Sequence, residues 1–222
     1  MHAPRAVPRA LHLLLLCLAG LGLALSAQAA APPASVTYTR SFPRSVPVFL
    51  QIVVRRDGSA LYAARQTARQ PVLHFPFTAS PPTVRAIFRA AAALDDFRGV
   101  RLQSKDNVAF TGDKTLAYAD GSLRALQHFT YTTLPPARTL VNLFERISTT
   151  GMDALRLRLA ARYQPLNVLE ALDQIQSDWS LHLLAEPQLL APVLRRLLAD
   201  PTQMQAAQRR AQKLLVQMHQ RY

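Results

Sequence analysis

The segment Ala125-Leu126-Gln127-His128-Phe129-Thr130-Tyr131-Thr132 runs into Pro135-Pro136, and the periodicity of the chain changes there. Beyond the two prolines, Leu140, Phe144, Ile147, Gly151, Leu155 and Leu159 form a stripe at the 3.6-residue spacing of a helix. Before them the apolar pattern has mostly a period of two, as strands require. Strands first and helices afterwards is the order of an α+β protein, not of an alternating α/β chain.

Working back from the prolines, Val48-Phe49-Leu50-Gln51-Ile52-Val53-Val54 is nearly all apolar and reads as a strand buried on both faces. Arg56-Asp57-Gly58-Ser59 supplies a tight turn into a partner strand over 60–66. A third strand is expected over 72–77, with Leu73, Phe75 and Phe77 on one face. Ser80-Pro81-Pro82 then opens a helix, the serine as its cap and the prolines in its first turn. Val84, Ile87, Phe88, Ala91 and Leu94 give that helix its apolar face. A hairpin is expected from 108–111 and 115–118, turning at Gly112-Asp113, and Asp120-Gly121-Ser122 leads into 125–132.

Working forward, the stripe from Leu140 to Leu159 allows a break at Thr149-Thr150-Gly151. A second helix begins near Pro165 and carries Leu169, Leu172 and Ile175. Pro187 opens a third with Leu190, Val193, Leu194 and Leu197, and Asp200-Pro201 caps a fourth through Met204, Ala207, Ala211, Leu214 and Met218. The expected layout is a leader over 1–29, a flexible lead-in over 30–45, an antiparallel sheet with one inserted helix over 46–134, and about four helices over 135–222. The last two regions are expected to form one globular unit.

The leader follows from its own pattern. Arg5 and Arg9 precede an apolar run from Leu11 to Leu25, and Ala27 and Ala29 supply the small residues of a cleavage site. Cleavage after Ala29 removes Cys17, the one cysteine among the 222 residues. The mature chain then has no thiol for a disulfide, an iron–sulfur cluster or a nucleophile. No other run approaches the roughly twenty apolar residues of a membrane span. With 50% hydrophobic and 18% charged residues, the remainder has the makings of a packed core.

Chemical motifs are sparse. No Gly-x-Ser-x-Gly, His-Glu-x-x-His or dinucleotide glycine fingerprint occurs, and no cofactor is implied. Thr111-Gly112-Asp113-Lys114-Thr115 lacks the upstream glycine of a phosphate loop and reads as a hairpin loop. His74 alternates with Leu73 and Phe75, and His128 with Phe129, so both imidazoles are expected on the sheet face opposite the core. Two imidazoles are half of a zinc site, and no carboxylate is spaced to complete it. Asp57, Asp113 and Asp120 are turn residues. Glu170 and Asp173 share a helix face as a solvated pair.

The formal charge is +13, carried by 26 Lys and Arg against 13 Asp and Glu. Arg195, Arg196, Arg209, Arg210 and Lys213 cluster in the last two helices, where they offer an anionic polymer a surface. The arginines are spread along the chain without interleaved aromatics, so nucleic acid is not the expected partner.

Three strings, Asp57-Gly58-Ser59-Ala60-Leu61-Tyr62, residues 109–118 around Gly112-Asp113-Lys114-Thr115, and Phe144-Glu145-Arg146-Ile147-Ser148-Thr149-Thr150, resemble a group of uncharacterised exported bacterial proteins. The resemblance implies export and an α+β unit, and no activity. The leading expectation is a periplasmic or extracellular, non-catalytic module that binds another macromolecule, such as an envelope protein, through the open sheet face or the terminal helices. The alternatives are an envelope hydrolase using His74, His128 and a turn aspartate, and an electrostatic binder of an anionic polymer. Protein recovered from its native host is expected to have the intact mass of a chain starting at Ala30. A mass retaining Met1 to Ala29 would sink the leader reading.

Overall fold

A computed structural model describes residues 32–219. The expected leader, 1–29, lies outside the described residues. Six strands form one antiparallel sheet: β1 (Ser35–Ser41), β2 (Phe49–Arg55), β3 (Ser59–Arg65), β4 (Leu73–Thr78), β5 (Asp113–Asp120) and β6 (Leu123–Phe129). Their order across the sheet is β4-β3-β2-β1-β5-β6. Helix α1 (Pro81–Ala92) sits between β4 and β5 in sequence, and α2 (Pro135–Tyr163), α3 (Val168–Ser180), α4 (Ala191–Ala199) and α5 (Gln205–His219) follow. The protein is α+β with a C-terminal set of four helices.

Alternation sorts the strands into two faces. Tyr38 of β1 pairs with Ile52 and Leu116, and Ile52 pairs with Tyr62. All four are fully buried and meet Ile87, Phe88, Phe144 and Ile147 from α1 and α2. Helices cover this face alone. β2 is therefore buried on one face and not on two, because Phe49, Gln51, Val53 and Arg55 are only half-buried on the other.

The region 30–45 is more than a lead-in: residues 35–41 are β1, hydrogen-bonded on both sides to β2 and β5. Only Val36 and Tyr38 are fully buried there, and the Ser and Thr between them masked the strand in the sequence. No strand forms at 108–111, and β5 begins at Asp113. Lys114 of β5 holds this loop. Its ammonium donates to Thr111 Oγ1 at 2.7 Å and to the carbonyls of Thr111 and Thr130 at 3.1 and 2.9 Å.

Ser80 does not cap α1 with its own side chain. Its backbone N–H and hydroxyl both donate to the Glu186 carboxylate, at 2.7 and 2.8 Å, and Thr83 Oγ1 donates to the same group. A carboxylate at a helix N-terminus is favoured by the dipole and by the unpaired N–H groups there.

α2 is unbroken through Thr149-Thr150-Gly151. At 29 residues it spans about 43 Å, longer than the sheet contact needs. Its first half packs on the sheet, while Ala154, Leu157 and Ala160 join a second core with α3, α4 and α5. Gly151 sits between the two halves, under the Tyr62 ring. A Cβ there would stand 2.6 Å from Tyr62 Cε1. Helix propensity alone makes Gly151→Ala stabilising by about 1 kcal/mol. The contact reverses that sign, and urea denaturation is expected to show a loss on the order of 1–3 kcal/mol.

Candidate functional site

The inward alternation of β1 ends on Arg40, which reaches toward α2. Phe144 of α2 stacks on Tyr38 with ring centroids 5.4 Å apart, and this sets the next residue, Glu145, against the end of β1. Glu145 accepts from the Tyr38 hydroxyl at 2.6 Å and from Arg40 Nη1 at 2.5 Å. Burial and then the Glu145 charge push the Tyr38 hydroxyl well above the usual phenol range, so it stays a donor.

From Glu145 a polar stripe continues along α2 at helical spacing, through Ser148, Thr149, Met152, Asp153 and Arg156. It faces Gln174 and Asp178 of α3 and the loop residues Val46 and Pro47, around a cleft of about 280 Å³. Asp153 is 2% exposed and Asp178 7%. Arg156 Nη1 donates to Asp153 Oδ1 at 3.1 Å, and Gln174 Nε2 donates to Asp178 Oδ1 at 3.0 Å. Burial and then the Asp178 charge push the Asp153 carboxyl up to about 7, against the pull of Arg156. With both carboxyls ionised, Asp153 Oδ2 has no donor. A single proton held between the two acids supplies one, as in any close carboxyl pair.

Two more buried polar atoms lack partners here. Arg40 Nε has no acceptor. The fully buried Tyr62 hydroxyl approaches Ser148 without the geometry of a hydrogen bond. The cleft thus offers one unpaired donor, Arg40 Nε, and an acid that titrates near neutrality and lacks a donor for Oδ2 when ionised. It can hold a small polar molecule, or exchange a proton with one.

The residues singled out by sequence lie elsewhere. His74 and His128 do share the open face and one row, which runs His74–Ala63–Gln51–Thr39–Thr115–His128. They sit on opposite edge strands, five strand spacings or roughly 24 Å apart, so they cannot share an ion or a substrate bond. Among the described residues no three His, Cys, Asp or Glu side chains gather as a metal site needs. Nor is any described helix long and apolar enough to cross a membrane.

The basic residues do not make one patch. Arg195 lines an apolar hollow of about 500 Å³ beside Leu215, Val216 and His219, in which no polar side chain is buried. Arg196 lines a different one. Arg210 pairs with Asp173, and Arg209 and Lys213 are exposed. Glu170 is exposed too and takes no part in the cleft.

The sequence reading missed Arg40, Glu145, Asp153 and Asp178. The one signal, and only for Glu145 and Asp153, was the run of polar residues at i, i+3, i+4 and i+8 along α2. The sequence matches no protein-family model and no curated protein.

Because the folded-state value of Asp153 lies above its ordinary one, its protonated form stabilises the fold below about pH 4. That contribution is lost as pH rises to about 7. Over this window the loss is on the order of 4 kcal/mol for a buried carboxyl. Asp57 and Asp200 are held low by hydrogen bonds from Ser59 and Thr202, so their opposite effect falls at more acidic pH. The wild-type melting temperature is expected to fall between pH 4 and pH 7, and that of Asp153→Asn to stay flat. An equal slope in both proteins would remove Asp153 as the titrating group.

Proposed function

We propose that the chain is an exported binding protein that holds a small, uncharged, hydroxyl-rich molecule in the cleft between β1, α2 and α3. The observation that carries this reading is Asp153 Oδ2, a buried acceptor beside an open cleft that no side chain donates to once the proton shared with Asp178 leaves. Buried polar atoms are nearly always paired, and leaving one unpaired costs about 1–3 kcal/mol. Arg40 Nε presents the converse need for an acceptor. A hydroxyl group donates and accepts at once, and so answers both.

The charge around the cleft favours a neutral ligand. Arg40 and Arg156 face Glu145 and a carboxyl pair that holds one proton below about pH 7, so the charges cancel there. The volume, about 280 Å³, lies just below the range of roughly 300–1,000 Å³ found for ligand pockets, so only a small molecule fits. Export rests on the Arg5–Ala29 pattern of the leader.

A second reading, an acid–base hydrolase, is favoured by one observation, the Asp153 proton that titrates near 7 beside Asp178. In that reading the carboxyl pair takes the place of His74 and His128. Calorimetric titration with pentoses, hexoses and inositol tests the binding reading. Saturable binding of at least one is expected, weakened at least tenfold in Asp153→Ala, with the bound molecule recovered unchanged by mass spectrometry. Recovery of a cleaved glycoside in its place would favour the hydrolase. No saturable heat from any of them, or equal affinity in the variant, would overturn the proposal.

A further inference from the structure

We propose that a second site, formed by Arg158, Arg162 and Arg196, binds the terminal phosphate of a phosphate monoester. Arg158 and Arg162 stand one turn apart on α2, and Arg196 comes from α4. The three guanidinium-bearing side chains line a hollow of about 230 Å³. With each residue turning a helix by 100°, Arg158 lies about 140° around α2 from Asp153. The site is therefore separate from the cleft of the proposed function and does not depend on it.

The local chemistry leaves these arginines unneutralised. Among the described residues none of the three makes an ion pair or a hydrogen bond. Asp200, on the rim, is engaged otherwise. Its Oδ1 accepts from the Thr202 N–H and hydroxyl at 2.9 and 2.7 Å, and its Oδ2 accepts from Gln203 at 3.0 Å. Aromatic rings position two of the guanidinium groups without cancelling their charge. Arg158 lies 5.0 Å over the Phe75 ring, and Arg162 lies 5.2 Å over Tyr163.

Like charges four apart on a helix destabilise it. The ring contacts of Arg158 and Arg162 offset part of that cost, and the third arginine adds to it. An anion in the hollow repays all three. Guanidinium forks match the oxygens of phosphate in paired hydrogen bonds. Three arginines less Asp200 carry a charge of two, which a dianionic phosphate monoester cancels. A single carboxylate leaves the hollow positive. The same chemistry is presented by a soluble phosphate ester and by the headgroup of phosphatidic acid.

The test titrates the full mature chain with inorganic phosphate and with glycerol 3-phosphate by calorimetry. In parallel, it is sedimented with phosphatidylcholine vesicles with and without phosphatidic acid. Saturable binding in at least one arm is expected, weakened at least tenfold in R158Q/R162Q/R196Q and little changed in R195Q/R209Q. Binding of the soluble esters alone assigns the site to a metabolite. Binding only of phosphatidic acid vesicles assigns it to a lipid headgroup. The single variant R196Q, on an exposed position of α4, serves if the triple variant does not fold, and is expected to weaken binding severalfold. No saturable binding in any arm would overturn the proposal. So would an equal loss in the R195Q/R209Q control, because the effect would then be bulk charge.

Discussion

Gly151 lies in the middle of a 29-residue helix, where almost any other residue would favour the helix more. It is there because the Tyr62 ring occupies the space of its side chain, with Cε1, Cζ and Cδ1 all within 2.8 Å of where a Cβ would stand. The contact brings α2 down onto β3 and fixes its height and rotation over the sheet. With that rotation set, Phe144 stacks on Tyr38 and Glu145 meets the end of β1. The C-terminal half of α2 is then carried past the sheet, where it can bury Leu157 only against other helices. The second core, the polar cleft and the arginine hollow all follow from where α2 is held.

Polar ties from the segment 184–186 back to α2 and α1 join the two cores. Arg146 Nη2 donates to the Leu184 carbonyl at 2.8 Å, and Thr150 Oγ1 donates to that of Ala185 at 2.6 Å. Glu186 then closes the N-terminus of α1, 106 residues away in sequence. Glu186 and Asp153 are equally buried, at 1% and 2% exposure, and the contrast between them is informative. Both oxygens of Glu186 are engaged by donors from the fold itself, so its burial is explained by structure. Asp153 has no donor for Oδ2 from the fold once its proton leaves near neutrality. Desolvating a carboxyl so incompletely compensated costs stability, and a buried acid perturbed in this way beside a cleft is a candidate functional position.

Much of the fold was legible because its apolar periodicities are strong. The strands β2, β3 and β4 and the helices α1 to α5 lie within a few residues of their expected places. β1 was not legible, since a strand paired on both sides but bare on one face alternates Ser and Thr with only two large buried residues. The apparent two-faced burial of β2 came from Phe49 and Val53, which the open sheet face leaves half-buried, Val53 in a row with Thr37 and Ala117 and Phe49 in one with Ser41 and Asp113. The site was less legible still. Asp153 and Asp178 are 25 positions apart, and Arg40 and Glu145 are 105 apart, so only the packing of α2 on β1 and α3 could bring them together. What the sequence did hold was the polar stripe on α2, and a stripe of that kind also describes an ordinary wet helix face.

Arginine content raises the same ambiguity for the second site. With 26 basic residues against 13 acidic ones, one-to-one pairing would leave at least half of the cations in this chain without a carboxylate partner. An unpaired arginine is therefore no signal by itself. Several are accounted for by packing their stems and planes on rings, as Arg56 does 4.3 Å over Phe88 and Arg65 5.8 Å over Phe49, with the charge left to solvent. Isolated cations of this sort repel one another weakly through water and salt. Convergence is a different matter. Three arginines around one hollow, from two helices that the second core holds together, share less solvent than isolated ones do. The basic residues of α4 and α5 counted from the sequence are dispersed by the fold, while two from α2 are brought to join Arg196. The fold thus gathers arginines where α2 meets α4, a grouping that the count of charges along the chain does not reveal.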